Sequence, residues 1–321
     1  MSTPDAATIA REVNAGRIDP VAVCERFLAR IAADNPGLNA IVRHDPERAL
    51  GEARAVAARL AGGEELPLAG VPIVVKDNIW VHDRLISQGS RLFADFVAPV
   101  DAIAVHRARV AGAVIIGIGN CPEFACKGQT NSPLHGRALH PMDRSLTPGG
   151  SSGGNAAAVA AGFAPLALGT DGGGSGRRPP AHTGTVGFKP SFGAIPYGPG
   201  FPEPFWGIAV IAPMARTVAD TALLFDTVAG PDAGDADSTP IAPREAVRPV
   251  TSLRIACSPR LGLRVSVDAD VAPMSVAGVS GAALGTPYTL RTTLGLEGRL
   301  ASRYGTVGGD TFRFTSIEGA P

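Results

Sequence analysis

Apolar residues recur along this chain with two periods. Val23, Phe27, Leu28 and Ile31 stand at i, i+4, i+5 and i+8 behind Asp19-Pro20, a capping carboxylate followed by a proline in the first helical turn. Asp45-Pro46 repeats that start signal, and ERALGEARAVAARLAGG predicts a helix ending at its glycines. Residues 1–65 therefore read as a helical segment. Farther on, short unbroken apolar runs alternate with helical stretches. VPIVV (71–75), AVIIGI (113–118), PLALGT (165–170) and LRIAC (253–257) predict strands, and 101–112, 155–162 and 216–230 predict helices. Strands that are apolar on both faces need cover on both, so the alternation predicts an α/β sheet with helices on each side. After residue 272 the pattern changes: the last 51 residues hold nine Gly and no Lys, and no helical stripe outlasts two turns.

Composition narrows the function classes. The 321 residues carry 29 basic and 29 acidic side chains, so net charge gives no reason to expect a nucleic acid or an anionic membrane as partner. No apolar run reaches the ~18 residues of a membrane span. Asp5, Arg11 and Glu12 stand where a secretory leader needs apolar residues. Four cysteines, at 24, 121, 126 and 257, form no CxxC, which suits a reducing, cytoplasmic setting. The length predicts one extended domain with a substantial core.

Two Gly/Ser clusters carry the candidate chemistry: TPGGSSGGN (147–155), opening onto an alanine-rich helix, and GTDGGGSGR (169–177), leaving a strand. Their bland reading is a pair of flexible loops. Glycines at strand ends also let backbone N–H groups converge on one point. Neither cluster continues into Gly-Lys-Ser/Thr, which argues against phosphate cradling and leaves an oxyanion hole beside a serine. Gly149-Gly150-Ser151-Ser152-Gly153 matches a GxSxG elbow, yet the only later histidine is His182, too near for an intervening sheet. A serine here needs another base. The chain has three lysines, and Lys76 closes the apolar strand VPIVV, where desolvation favours the neutral amine; Lys127 and Lys189 read as surface residues. Cys121, Cys126, His135 and His140 fall at C-x₄-C-x₈-H-x₄-H, outside the usual zinc spacings, so no metal is expected.

GVPIVVKDN (70–78), TPGGSSGGNAAAVAAG (147–162) and GTDGGGSGRRPPA (169–181) resemble, in order and spacing, the three blocks of the amidase signature family, and PMARTVADTALLFDTVAG (213–230) resembles the segment after them. The resemblance implies a core over 66–272 built on a central mixed, mostly parallel sheet. It implies a Ser–cis-Ser–Lys triad with Ser175 as acylated nucleophile, Ser151 as bridging serine after a cis peptide, and Lys76 as general base. Backbone N–H groups of Gly172, Gly173, Gly174 and Ser175 would form the oxyanion hole, supported by Ser152, Asp171 and Arg177. The implied activity is cleavage of a carboxylic amide, without a cofactor, on a small-molecule substrate, in a chain with room to form a homodimer. Two alternatives stand beside that hydrolase: the A component of a tRNA-dependent amidotransferase, which passes ammonia to a partner, and an inactive remnant. Gly176 and Arg178 depart from the family, which has bulky apolar residues there. Residues 273–321 depart altogether, and the expected cause is a truncated or frameshifted reading frame that leaves the C-terminal part of the fold incomplete.

Overall fold

The computed structural model describes residues 4–241, together with the eight residues of two short strand pairs farther along. The chain divides into two compact units, Met1–Ala242 and Pro243–Pro321. In the second unit, Thr293–Leu294 pairs antiparallel with Phe312–Arg313, and Ala301–Ser302 with Gly305–Thr306. The expected strand at 253–257 and the question of a displaced reading frame lie outside the described residues.

Three helices open the first unit: α1 (Ala6–Asn14), α2 (Pro20–Asp34) and α3 (Pro46–Ala61). The expected start signals act as such. The Asp19 carboxylate accepts the Val21 N–H at 2.9 Å, and Asp45 accepts the Arg48 N–H at 3.1 Å, each capping a helix with proline in its first turn. The α2 stripe of Val23, Phe27, Leu28 and Ile31 is buried, with Cys24 beside it. Between α2 and α3 lies β1 (Ile41–Arg43), which the helical reading of residues 1–65 does not anticipate. Three residues give too short a run to show a period of two.

The central sheet adds β2 (Pro72–Lys76), β3 (Val114–Gly119), β6 (Leu166–Asp171), β7 (Val186–Gly187) and β8 (Val210–Ala215) in the order β1-β3-β2-β6-β8-β7; β4 (Asn131–Ser132) and β5 (Gly136–Arg137) form a separate hairpin. Parallel pairing holds in the central trio β3-β2-β6, while β1 joins β3, and β8 joins β6 and β7, antiparallel. The sheet is thus mixed. Every residue of β2, β3, β6 and β8 is buried, so both faces are covered, as their unbroken apolar runs require. The short helix α4 (Ile103–Val110) connects β2 to β3, and α5 (Gly153–Ala160) lies across β2, β3, β6 and β8. After β6 the chain turns into α6 (Arg178–Thr183), and α7 (Val218–Val228) follows β8.

One carboxylate ties the start of helix α1 to the rest of the unit, while Asn14 at its end exchanges two hydrogen bonds with the Leu66 backbone. Asp220, buried in the first turn of α7, accepts the N–H groups of Ala6 and Ala7 through its two oxygens, both at 3.1 Å. These are N–H groups that the first turn of α1 leaves without intrahelical partners. Asp220→Ala is expected to cost ~1–2 kcal/mol, the range for a lost cap with buried donors left unpaired. Urea unfolding followed by circular dichroism, together with earlier proteolysis near residue 15, checks it; an unchanged midpoint counts against this role.

Candidate active site

The last residue of β2 is a lysine with no exposed surface. Lys76 Nζ lies 2.7 Å from Ser151 Oγ and 2.7 Å from Thr170 Oγ1. Strand pairing explains the second contact, because β6 runs parallel to β2 with Val75 opposite Leu168, which brings Thr170 to the end of Lys76. Asn78 Nδ2 reaches the same threonine hydroxyl at 3.1 Å. Burial lowers the Lys76 ammonium to about 8, against the lesser opposing pull of Cys121 and Asp171. Lys127 is exposed and Lys189 partly so, its Nζ meeting the neighbouring Pro190 carbonyl at 3.4 Å.

Ser151 sits in the turn that enters α5, and the Gly150–Ser151 peptide is cis. The glycines of this segment are close-packed rather than flexible. A Cβ on Gly154 would collide with the Asn120 N–H and the Ala40 carbonyl, because the Gly154 N–H bonds to Asn120 at the end of β3. Thr130 closes the turn by donating to the Gly149 carbonyl at 2.9 Å and accepting the Gly153 N–H at 3.0 Å. Ser152 donates to the Thr170 carbonyl at 3.1 Å, which pins the start of α5 to β6.

The second cluster folds around Asp171. Its buried carboxylate accepts the Gly174 N–H at 2.7 Å and binds Arg177 at 2.8 and 3.0 Å. Burial alone would raise this carboxyl, but the guanidinium and the Gly174 and Gly176 N–H groups outweigh it and hold it below the ordinary range. One consequence differs from the sequence expectation. The Gly174 N–H is committed to Asp171, whereas no acceptor among the described residues takes the N–H groups of Gly172, Gly173 or Ser175. Ser175 follows in the same turn, nearly buried, and no hydrogen bond links its hydroxyl to Ser151. Gly176 has a packing reason: a Cβ there would run into Ala212 of β8, so the bulky family residue does not fit this backbone.

Sequence reasoning missed Thr170 and Asn78, whose signal is their register beside Lys76. It also missed a trio at Asp77, fully buried next to Lys76. Ser87 donates its hydroxyl to Asp77, while His135 Nε2 lies 2.9 Å from Ser87 Oγ and 3.3 Å from Asp77. A nucleophilic relay needs the imidazole to meet serine and acid through different nitrogens. Here one nitrogen meets both, and the Ser87 hydroxyl already donates its hydrogen bond to the acid, so the trio clamps the loop after β2. Of the residues considered for a metal, Cys121 is buried, with its thiol pushed up by burial, and Cys126 is exposed. The His135 ring is engaged as above, and the His140 ring meets the His182 carbonyl at 2.9 Å.

Comparison with known proteins agrees with this architecture. The Amidase family profile matches residues 22–276. The A component of glutamyl-tRNA(Gln) amidotransferase from Deinococcus deserti is 47% identical over 234 residues, 73% of this chain and 47% of that one. Its counterpart in Deinococcus radiodurans is 43% identical over 287 residues, 89% of this chain and 57% of that one. Among solved structures, the peptide amidase of Stenotrophomonas maltophilia superposes with a TM-score of 0.70 at 35% identity, covering 76% of this chain and 51% of that one. A bacterial aryl acylamidase superposes at 0.69 with 34% identity, covering 74% and 50%. The chain belongs to the amidase signature family. It spans about half the length of the curated relatives it matches. No helix among the described residues is long and apolar enough to cross a membrane.

The buried lysine has a measurable cost. Folding lowers its pKa from 10.5 to about 8, so between these values the unfolded chain holds more protons and stability rises with pH. Below about pH 8 the full penalty applies, of order 3 kcal/mol at ~1.4 kcal/mol per tenfold. Lys76→Met removes the penalty but takes one hydrogen-bond partner from each of the Ser151 and Thr170 hydroxyls, at about 1 kcal/mol each, Thr170 keeping its Asn78 donor. The variant is expected to melt above the native chain at pH 7 and below it at pH 10. Thermal melts at both pH values check the crossover, and a difference independent of pH counts against a charged, desolvated Lys76.

Proposed function

We propose that this chain performs the acylating half of amide cleavage, with Ser175 as nucleophile, Ser151 as proton bridge and Lys76 as base. The observation that carries the reading is the 2.7 Å contact from the buried Lys76 amine to Ser151 Oγ, beside a glycine turn with unclaimed N–H groups. Thr170 accepts from Lys76 on the other side, and in the neutral amine that bond takes one N–H and leaves the lone pair for the Ser151 proton. As Ser175 Oγ forms its bond to the carbonyl carbon, its proton passes to Ser151, and the Ser151 proton passes to Lys76. The negative oxygen is received by the N–H groups of Gly172, Gly173 and Ser175. Collapse breaks the C–N bond, and the proton held on Lys76 returns through Ser151 to the leaving nitrogen. Water then releases the acyl group from Ser175.

For the biological setting we favour the A component of a tRNA-dependent amidotransferase, which takes ammonia from a primary carboxamide such as glutamine and passes it to a partner protein. Support comes from the curated relatives quoted above, at 43% and 47% identity, against 34–35% for the amidases of known structure. A free-standing amidase is the second reading, favoured by the superposition on peptide amidase and aryl acylamidase. Turnover of a small aryl amide by the chain alone favours the second; ammonia release that needs a partner protein favours the first.

A phosphonylating serine probe followed by intact-mass spectrometry tests the triad. One adduct is expected on the native chain, none on Ser175→Ala, and a reduced yield on Ser152→Ala. Because only neutral Lys76 takes the proton, the labelling rate should climb from pH 6 to a plateau above about pH 8, and Lys76→Ala should lower it ~10²–10⁴-fold. An adduct on Ser151, or undiminished labelling of Ser175→Ala, defeats the assignment.

A further inference from the structure

The loop leading into β8 exposes three large apolar side chains: Phe205 at 47%, Ile208 at 53% and Trp206 completely. The loop is nevertheless firmly built. At its base Phe201 packs among Trp80, Phe93 and Phe96, with ring centroids 5.2–5.8 Å away. At its tip the Glu203 carboxylate accepts the N–H groups of Phe205, Gly207 and Ala209 at 2.8, 2.6 and 2.9 Å, so one acid gathers the turn. The Phe205 ring thereby lies on the glycine turn: a Cβ on Gly172 would fall 2.6 Å from its Cδ2 and Cε2. Gly173 is open, with nothing within 4 Å of the same position. An aromatic wall stands over one candidate oxyanion donor, and free space over the next.

The geometry points to Phe205 as a specificity-determining residue, the apolar wall of the subsite for the group attached to the carbonyl carbon. It selects amides whose carbonyl carries a methylene chain or an aryl ring over those carrying only hydrogen or methyl. The inference rests on the Ser175 reading and deepens it. A carbonyl oxygen held at hydrogen-bond distance from the Gly172 and Gly173 N–H groups places its carbon beside that turn. One substituent of that carbon is then within van der Waals reach of a ring already packed on Gly172. Apolar surface that is half exposed in the free chain is covered when such a substituent docks, and that burial supplies the selectivity. A glutamine side chain presents two methylenes at this position, and an aryl acyl group presents a ring.

Two sulfonyl fluorides test this wall, phenylmethanesulfonyl and methanesulfonyl fluoride. Each forms a bond from Ser175 Oγ to sulfur and expels fluoride, with the serine proton passing to Ser151 and Lys76. The ratio of aryl to methyl labelling rates on Ser175, measured by mass spectrometry, cancels the intrinsic reactivity of each probe when variant and native chains are compared. In Phe205→Ala the ratio should fall about tenfold, the lower end of what an apolar pocket discriminates, with the methyl rate little changed. Phe205→Tyr, which keeps the ring, should hold the native ratio. If Phe205→Ala does not fold, Phe205→Leu is read instead. A native ratio in the alanine or leucine variant overturns the inference. Absence of any adduct on Ser175 of the native chain overturns the Ser175 reading instead.

Discussion

A lysine held entirely out of water at the end of a central strand is the constraint on which the rest of this structure depends. Lys76 follows four apolar residues of β2 and ends with all its length inside the protein. An amine in that position forfeits hydration whenever it is charged, so it needs hydroxyl partners at its tip and a strand packed on either side of its stem. Ser151 and Thr170 are those partners, and β3 and β6 are those strands. The same burial that costs stability brings the pKa of the amine down to about 8, close to physiological pH, which is the property a base requires. Stability and candidate chemistry are thus opposite consequences of one placement.

The two glycine clusters solve the packing problem that this placement creates. For Ser151 to reach Lys76, the start of α5 must lie against the ends of β3 and β6, and only residues without Cβ let the backbones approach so closely. Asn155, one turn into α5, then donates its side-chain amide to the Leu168 carbonyl at 2.9 Å, between the strands it crosses. The second cluster uses a charge instead. Asp171, with Arg177 and the Gly174 N–H on its carboxylate, fixes the turn that carries Ser175, and the N–H groups of Gly172, Gly173 and Ser175 meet no acceptor among the described residues. Of four amides expected to face a substrate oxygen, one belongs to the scaffold.

Membership of the amidase signature family and a span of about half its curated relatives bear on how the site works. The described residues contain Lys76, Ser151, Ser175 and the glycine turn, together with an aromatic loop over that turn. The proposed reacting groups and the proposed wall of the acyl subsite therefore lie in the first compact unit. Gly176, a departure from the family pattern, has its own accommodation there in the close approach of Ala212 from β8.

The helices other than α6, the buried strands β2, β3 and β6, and the words of the two clusters were legible in the sequence, because helix caps, apolar runs and glycine-rich turns are local in origin. Lys76 stood out for a similar reason, as one of three lysines and the one at the end of an apolar strand. Other features depend on which segments meet. Strand β1 is three residues long, and β8 contains Pro213 opposite Leu168, so neither shows a period to read. Thr170, Asn78 and Asp220 act through partners 94, 92 and 214 positions away, and nothing in their own neighbourhoods signals it. The commitment of the Gly174 N–H to Asp171 is local in sequence but depends on the turn closing around a buried charge. Sequence alone determined which groups this protein has for its chemistry, since residue type and local period are written in the chain. Tertiary structure decided which hydroxyls face the lysine, which N–H groups remain free and which ring covers the glycines, since burial and hydrogen-bond partnership exist only once distant segments pack.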